Sequence, residues 1–533
     1  MLPLLALHYR AGINKILLKR TPFHPFLFAI FPVLALLGHN INEVSINVII
    51  RPLIIVLAGT LVLVVLSRVL LRDTLKAGLV VTLFLVLFFT YGQVYHLIRD
   101  LHAIGFQLAR HRYLGPVFLV FLIGGLWLIQ TRLKNLELAT SALNLVGLIL
   151  VILPIWQIGQ SYVHISEAIH NTSAIEASHT LDTLQPPKNQ PMPDIYYIIL
   201  DMHTRADALQ TDFNYDETPF INGLKNLGFY VADCSQPNYD YTQPSLTAGL
   251  NYDYIPDLAK EYQALGTGST DPWILIKHSL VRWQLEQAGY KSVAFETTYH
   301  WSTLNDADIF LGLGKDSVQI QSITPFESML IKDTAALIAT DSQAKILLNQ
   351  IHEINYPFSI HVDSERFILK ELPTIADIPE PTFTFAHILI PHYPFVFRPD
   401  GSLQTDPGFY EGKNASPIDK AHNIQGYTDG VQFIDNQILQ ISKTILAHSK
   451  TPPVIIIQGD HGLGGDNRRR ILNSYYMNQA GEQKLYPNIS PVNSFRVVFD
   501  TYFGMNYPLL KDFTYKGDDW VNPVQDNSPS CTH

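Results

Sequence analysis

The chain has 533 residues, of which 47% are hydrophobic and only 16% are charged, and its formal net charge is −10. This composition excludes a disordered or low-complexity protein, because such chains are polar or highly charged. The charge is unevenly divided: residues 1–160 carry 13 Lys and Arg against 4 Asp and Glu, whereas residues 161–533 carry 24 against 43. The acidic second part argues against binding of nucleic acid through a basic surface. An apolar, basic part joined to an acidic, polar part indicates two regions in different environments.

Five stretches near the N-terminus carry almost no charge and approach the length of about 20 apolar residues that crosses a bilayer. They are Thr21–Asn42, Pro52–Leu71, Ala77–Leu97, Tyr113–Thr131 and Leu138–Ile158. Buried helices of a soluble core rarely run this long in consecutive copies, so the stretches predict a five-span transmembrane domain over residues 1–158. Eight basic residues in the loops on the N-terminal side against four on the other predict a cytoplasmic N-terminus. Everything after residue 160 is then expected outside the cytoplasm.

A proline-rich segment separates this region from the rest of the chain. Four prolines fall within Gln185–Pro193, which predicts an extended linker over residues 159–193. After it, short apolar runs of β-type residues, such as Asp194–Leu200 and Val454–Gln458, alternate with amphipathic helical patterns. This alternation predicts an α/β domain over residues 194–533 with a largely parallel sheet, whose ligands bind at the carboxyl ends of the strands.

Three motifs with acidic or nucleophilic side chains fall where such a sheet would place a site. Asp201 directly follows the first apolar run, and Thr242 lies in a loop that enters a predicted helix. Asp460 and His461 directly follow the strongest predicted strand. Each motif alone is more typical of a turn or a helix cap. Their order and their positions after strands are the more specific signal.

Together these motifs resemble those of the alkaline phosphatase/sulfatase superfamily, and most closely its membrane-anchored branch of lipoteichoic acid synthases and phosphoethanolamine transferases. Asp201 matches the strand-terminal acid of the first family motif. Thr242-Gln-Pro-Ser245 matches the C/S/T-x-P-S pattern of the nucleophile, and Asp460-His461-Gly462 matches the late Asp-His-Gly. The resemblance implies five membrane helices followed by a sulfatase-like catalytic domain outside the cytoplasm, and it covers essentially the whole chain.

The chain departs from true sulfatases at the nucleophile. Those enzymes convert the cysteine or serine of C/S-x-P-S-R to formylglycine, whereas this chain has Thr242 at that position and Leu246 in place of the arginine. Hydrolysis of sulfate esters by the formylglycine route is therefore not expected. A threonine nucleophile resembles the phosphoryl-transferring branch instead.

The residue types in the three motifs also suggest a metal site. A threonine hydroxyl is a poor nucleophile near neutral pH unless a metal ion or a base removes its proton. Two carboxylates, an imidazole and a hydroxyl make a four-ligand set for one divalent cation, so the predicted ligands are Asp201, Thr242, Asp460 and His461. The cation would stabilise the alkoxide and polarise the phosphoryl oxygen. Ligand type alone does not choose between Zn, Mn and Mg.

Two further histidines, His387 and His392, lie in Phe385–Pro394, which is predicted to deliver them to the end of another strand. In the resembling families, histidines of this region contact the phosphate or sulfate and assist the leaving group, and His392 matches that position better. His387 is equally consistent with a histidine satisfied within the strand. Arg205 is expected either to bind phosphate through its fork or, as a structural residue, to pair with Asp207 or a helix cap.

The sequence thus predicts a metal-dependent phosphoryl transferase or hydrolase in the inner membrane that acts on phosphate esters at the outer face. A membrane lipid would be the donor or acceptor, and Thr242 would form a phosphothreonine intermediate. Two alternatives stay open: a tethered sulfatase or phosphatase that acts on soluble esters, and a non-catalytic envelope protein that senses lipid with a retired sulfatase-like domain. The sequence decides neither the oligomeric state nor whether Cys234 pairs with Cys531.

Overall fold

The computed structural model describes residues 21–41, 43–99, 110–178, 183–185, 191–264, 272–313, 324–338, 358–405, 409, 417–464 and 468–524. The chain divides into two compact units, one of Met1–Val163 with Ile320–Pro357 and the other of His164–Gln319 with Phe358–His533. In the predicted linker, residues 159–178 belong to a helix, and residues 186–190 lie outside the described part of the chain. The predicted domain boundaries stay a prediction.

The first unit contains long apolar helices. Among the described residues, four spans are long and apolar enough to cross a membrane: Ile46–Leu71, Thr74–Arg99, His111–Thr131 and Leu136–Thr172, the last within the helix Leu136–Ser178. Large apolar side chains on them are exposed, for example Leu70 at 81%, which suits a lipid environment better than water. The first predicted span contains a shorter apolar helix, His24–His39, of 16 residues. The membrane-helix region is therefore observed, whereas the count of five spans stays a prediction.

A short helix from the second half of the sequence packs within this first unit. The helix Pro325–Lys332 begins with a capping box in which Thr324 and Glu327 each bind the other's backbone N–H. Phe326 is buried among side chains of the first apolar helix, and Glu327 forms an ion pair with Arg51. The sequence patterns did not indicate this insertion, because a short amphipathic helix has the same periodicity wherever it packs.

The second unit is built on a seven-stranded sheet. In spatial order its strands are β2 (Tyr230–Val231), β7 (Asn473–Tyr476), β6 (Val454–Gly459), β1 (Ile195–Leu200), β5 (Thr382–Ile388), β3 (Lys291–Phe295) and β4 (Ile309–Leu311). The pairs β1–β5, β1–β6, β3–β4 and β3–β5 are parallel, and only β7 runs antiparallel to its neighbours. A separate hairpin joins β8 (Thr514–Lys516) to β9 (Asp519–Val524). The predicted α/β class with a largely parallel sheet is confirmed.

Helices cover both faces of this sheet, so β1 is buried on both sides and reads as a continuous apolar run. Its alternate residues belong to two different core clusters, with Tyr197 in one and Tyr196 in the other. The first cluster includes side chains from the helices Thr242–Asn251, Pro272–Lys277, Leu280–Gln287 and Pro491–Tyr502. The second includes side chains from Thr218–Asn226, Ser359–Glu371 and Pro417–His448. The other described α-helices that lie wholly in this unit are Ala206–Phe213, Ile255–Ala264 and Gln479–Glu482, and two short 3-10 helices are His300–Ser302 and Leu372–Asp377.

Candidate functional site

Two buried aspartates meet at the carboxyl ends of the central strands. β1 and β6 pair so that Leu200 lies opposite Gly459, and the next residues are Asp201 and Asp460, each 1% exposed. The two motifs are joined directly, because the N–H of Met202 donates to Oδ1 of Asp460 over 2.9 Å. Ligands of open parallel sheets bind at this edge, where the sequence predicted the site.

Special backbone positions allow the two strand ends to approach. Met202 has a φ of 66°, in the left-handed region that a residue with a side chain rarely adopts. Gly459 passes so close to the chain after β1 that a Cβ would lie 2.4 Å from the backbone oxygen of His203. A side chain at Gly459 would therefore force the loops that carry Asp201 and Asp460 apart.

Thr242 is the first residue of the helix Thr242–Asn251, which follows the extended residue Tyr241. The dipole at such a helix start favours a bound anion. Oγ1 of Thr242 lies 3.1 Å from Nε2 of His461. The predicted nucleophile and the predicted histidine ligand are thus in contact.

The same helix is fixed against the strand ends by two contacts. The hydroxyl of Ser245 donates to the backbone oxygen of Asp460 over 2.7 Å. At Gly249, a Cβ would lie 2.7 Å from the hydroxyl of Tyr197 in β1, so glycine lets the helix lie close to the sheet. These contacts hold the start of the helix beside the loop that follows β6.

The atoms around Thr242 form a set that suits a divalent cation. Nδ1 of His461 donates to the backbone oxygen of Gly462 over 3.0 Å, so the lone pair of Nε2 faces the cluster. That Nε2 lies 3.6 Å from Oδ2 of Asp460 and 3.9 Å from Oδ1 of Asp201. Both carboxylate oxygens are buried without a hydrogen-bond partner among the described residues. Asp201, Asp460 and His461 lie close enough to share one metal ion.

His387 contacts Asp201, and His392 lies close enough to affect its charge. Nε2 of His387, near the end of β5, lies 3.4 Å from Oδ2 of Asp201. His392 lies beyond the strand, where its Nδ1 donates to the backbone oxygen of Tyr393 over 2.5 Å. Burial alone would raise the pKa of Asp201, but His392, His387 and His461 outweigh it and lower that pKa below its usual range. Asp201 therefore keeps the negative charge that a metal ligand requires.

Arg205 makes its described contacts elsewhere. Its guanidinium donates to Oδ1 and Oδ2 of Asp207 over 2.7 and 2.9 Å and to the backbone oxygen of Ser235 over 3.0 Å. This is the pairing with Asp207 that the sequence left open. A role of Arg205 in binding phosphate stays a prediction.

Comparison with known proteins returns structural matches only: no family model and no curated protein matches the sequence. The chain is similar to the C-terminal periplasmic domain of EptC from Escherichia coli in complex with Zn, at 12% identity over 60% of this chain and 86% of that one, with a TM-score of 0.39. It is similar to the integral membrane protein lipooligosaccharide phosphoethanolamine transferase A from Neisseria meningitidis, at 11% identity over 90% and 95%, with a TM-score of 0.37. A third match is the C-terminal periplasmic domain of phosphoethanolamine transferase EptC from Campylobacter jejuni, at 11% identity over 58% and 89%, with a TM-score of 0.34.

The last two proteins are phosphoethanolamine transferases, one of the families that the sequence motifs resemble.

The helix Ser359–Glu371 adds two buried side chains near Asp201 that sequence reasoning missed. Oε2 of Glu365 accepts the N–H of Leu389 over 3.0 Å, and Oε1 lies 4.0 Å from Nδ1 of His361. Burial, with the nearby charge of Asp201, raises the pKa of Glu365 to about 8. The only signal in the sequence is a histidine and a glutamate four residues apart, which is common on solvated helices.

Proposed function

We propose that this chain is a membrane-bound, metal-dependent enzyme that transfers or hydrolyses phosphate esters with Thr242 as its nucleophile. The observation that carries the proposal is the 3.1 Å contact between Oγ1 of Thr242 and Nε2 of His461, a nitrogen that also faces the unpartnered oxygens of two buried aspartates. A threonine hydroxyl needs activation to act as a nucleophile. A cation-binding set in contact with it is a means of activation.

The four residues Asp201, Thr242, Asp460 and His461 would hold one divalent ion. The buried carboxylate oxygens support this fit, because burying them is unfavourable unless a cation or a proton satisfies them. One imidazole with several oxygens suits Zn²⁺, Mn²⁺ or Mg²⁺. When bound, the ion supplies positive charge that favours the deprotonated hydroxyl and stabilises charge on the phosphoryl oxygens.

In the first step, Oγ1 of Thr242, which is partly exposed, gives its proton to solvent water and attacks phosphorus. The Oγ1–P bond forms while the bond from phosphorus to the ester oxygen breaks, and the leaving oxygen takes up a proton. His392 is the candidate donor of that proton, because it is only partly buried and close enough to Asp201 to affect its pKa. His387 lies beside Asp201 and would help to orient its carboxylate.

In the second step, water or an acceptor hydroxyl attacks the phosphothreonine. Its oxygen bonds to phosphorus and gives its proton to His392, which lost one in the first step. The Oγ1–P bond breaks, and Oγ1 takes up a proton from water, which restores Thr242. Water as acceptor makes the enzyme a hydrolase, and an alcohol makes it a transferase. The helix start at Thr242 favours the phosphoryl anion in both steps.

The membrane helices suggest that the substrate is a lipid. We propose five spans within residues 1–158, with His24–His39 as part of the first, and a catalytic domain over residues 194–533. The connecting segment 159–193 begins with the helical residues 159–178. The N-terminus would be cytoplasmic and the reaction would take place at the outer face of the inner membrane. Tethering confines such a site to the bilayer surface, where phospholipid headgroup esters are concentrated, so the donor or acceptor would be a membrane lipid.

The test is release or transfer of a headgroup by the full chain, purified with divalent metal, in phospholipid vesicles. Thr242→Ala should lower the rate by roughly 1000-fold or more, because the attacking atom is lost. Thr374→Ala, an exposed threonine, is the matched control and should leave the rate unchanged. A phosphorylated Thr242 in acid-quenched wild-type protein would identify the intermediate. Turnover by Thr242→Ala equal to that of the wild type would contradict the covalent mechanism.

The same purified protein is used to determine the substrate class. Lipid esters, a soluble phosphate monoester and the matching sulfate ester are compared at equal concentration. We expect turnover of the phosphate esters, and faster turnover of the lipid. A preference for soluble esters would favour the tethered hydrolase, and no turnover together with no bound divalent ion would favour a non-catalytic lipid-sensing protein.

A further inference from the structure

A second cluster of metal-ligating side chains lies in the second unit and takes no part in the chemistry proposed for Thr242. His203 follows β1, Glu217 precedes the helix Thr218–Asn226, and Asp435 lies on the helix Pro417–His448. Nε2 of His203 lies 2.9 Å from Oδ1 of Asp435 and 3.6 Å from Oε1 of Glu217. The side chains of His203 and Glu217 are 0% exposed, and that of Asp435 is 5% exposed.

With both carboxylates ionised, this cluster contains more negative charge than the described side chains neutralise. Both carboxylate oxygens of Glu217 and Oδ2 of Asp435 are buried without a hydrogen-bond partner among the described residues. Within that part of the chain, His203 is the only cationic group recorded in an ion pair with either carboxylate, and Tyr215 is a neutral donor to Asp435. A protonated His203 would bring one positive charge against two negative ones. Burying an unpaired carboxylate is strongly unfavourable.

The orientation of His203 also points to a cation. Its Nδ1 donates to the backbone oxygen of Thr204 over 3.3 Å, which leaves Nε2 facing the carboxylates, as in histidine ligands of metals. An unprotonated Nε2 at 2.9 Å from Oδ1 of Asp435 would repel that oxygen unless a cation lay between them. A proton satisfies one oxygen at a time, whereas a metal ion bonds to all three ligands.

The spacing of the three ligand atoms fits a small transition-metal ion. Bonds of about 2.0–2.1 Å at tetrahedral angles put ligand atoms about 3.4 Å apart. The observed separations from Nε2 of His203, 2.9 and 3.6 Å, bracket that value. One imidazole and two carboxylates suit Zn²⁺, and two negative charges neutralise it.

We propose that His203, Glu217 and Asp435 bind a second divalent ion, Zn²⁺ by their chemistry, in a buried structural site. The ion would tie the end of β1 to the start of the helix Thr218–Asn226 and to the middle of the helix Pro417–His448. It would therefore stabilise the loop that also carries Asp201. This site does not depend on the function proposed for Thr242.

The test is the zinc content of the full chain in detergent, loaded with Zn²⁺ as the only divalent metal and measured by elemental analysis after loosely bound metal is removed. Wild type should contain two ions per chain, Asp460→Asn one, Glu217→Gln one, and the double variant none. Glu380→Gln, an exposed glutamate, is the matched control and should keep both. Chelation should also lower the midpoint of thermal unfolding of Asp460→Asn, whose remaining ion is structural.

The decisive comparison is whether Glu217→Gln loses the ion that Asp460→Asn keeps. No zinc in Asp460→Asn overturns the proposal, and so does zinc in the double variant, because that ion must then lie elsewhere. If Glu217→Gln does not fold, anomalous diffraction of the wild type at the zinc edge decides, with a peak among His203, Glu217 and Asp435 expected and its absence contradicting the site. Failure of the nucleophile proposal can be told apart from failure of this one. An active Thr242→Ala variant would contradict Thr242 as nucleophile without changing the zinc bound by His203, Glu217 and Asp435.

Discussion

The hydroxyl of Tyr427 donates a hydrogen bond of 2.8 Å to the backbone oxygen of Met202. The same hydroxyl accepts the N–H of Thr204 over 3.1 Å, and Tyr427 is 0% exposed. One side chain of the helix Pro417–His448 thus satisfies the backbone on both sides of His203. Since Met202 also binds Asp460, this contact supports the geometry of the candidate metal site.

Tyr427→Phe should therefore destabilise the second unit. Loss of the hydroxyl leaves a buried carbonyl and a buried N–H without a partner, which costs about 1–3 kcal/mol of unfolding free energy. The measurement is the midpoint of thermal unfolding. Tyr196→Phe is the matched control, because the Tyr196 hydroxyl is buried without a partner in the described structure, so its removal should be neutral or stabilising. An equal decrease of the unfolding midpoint in Tyr427→Phe and Tyr196→Phe would contradict this prediction.

At position 202 the usual order of stability, in which an alanine variant is more stable than a glycine variant, should be reversed. Its φ of 66° costs a residue with a Cβ about 1 kcal/mol, and glycine avoids that cost. Both truncations lose the packing of a side chain that is 3% exposed, so Met202→Gly should be more stable than Met202→Ala by about 1 kcal/mol. Leu209 belongs to the same cluster but lies within a helix. Its variants should show the ordinary order, with Leu209→Ala more stable than Leu209→Gly. Unfolding midpoints of the four variants test both statements.

Glu365 should make stability fall as pH rises. Its pKa in the folded chain is about 8, against an ordinary value of 4.5. Between these values the unfolded chain has lost a proton that the folded chain keeps, so the unfolding free energy decreases by roughly 4 kcal/mol across that window. Glu365→Gln removes this titration, and its stability relative to wild type should increase from pH 5 to pH 8.

The measurement for Glu365 is the difference in unfolding midpoint between variant and wild type at both pH values, with chelator present so that no bound ion alters the charge near Asp201. Glu380→Gln, at an exposed position, should show no such trend. A constant difference for Glu365→Gln would mean that the carboxyl ionises normally in the folded chain.

The number of reactive thiols should show on which side of the membrane the domain that contains Cys234 lies. Cys234 is disulfide-bonded, and the only other cysteine in the sequence, Cys531, lies outside the described residues. Disulfides persist in oxidising compartments, so protein purified without reductant and then denatured should contain no reactive thiol, and reduction should release two. Two reactive thiols before reduction would contradict an oxidised Cys234 and weaken the case for a domain outside the cytoplasm.

Much of the architecture could be predicted because its signals are local. A run such as Val454–Gln458 is apolar at every position, so it needs cover on both faces and indicates a central parallel strand. Asp201 and Asp460 directly follow such runs, and parallel strands end at one edge of the sheet. The meeting of these aspartates with His461 and Thr242 is therefore a consequence of strand order, which the motifs indicated. Their chemical roles stay predictions.

Other features depend on residues far apart in the chain and have no local signature. The buried position of Glu365 cannot be told from a solvated helix face, because the same i, i+4 spacing serves both. The packing of Phe326 against the apolar helices of the first unit is equally invisible to periodicity.

The sequence by itself determined the apolar membrane-helix region, the parallel α/β class and the positions of acidic and nucleophilic residues at strand and helix ends. Periodicity, continuous burial and chain direction are properties of short segments. Only the tertiary structure decided that Arg205 binds Asp207 and that His203 meets Glu217 and Asp435. Those outcomes depend on which side chains become partners once the elements pack, because burial makes an unpaired charge or polar group unfavourable.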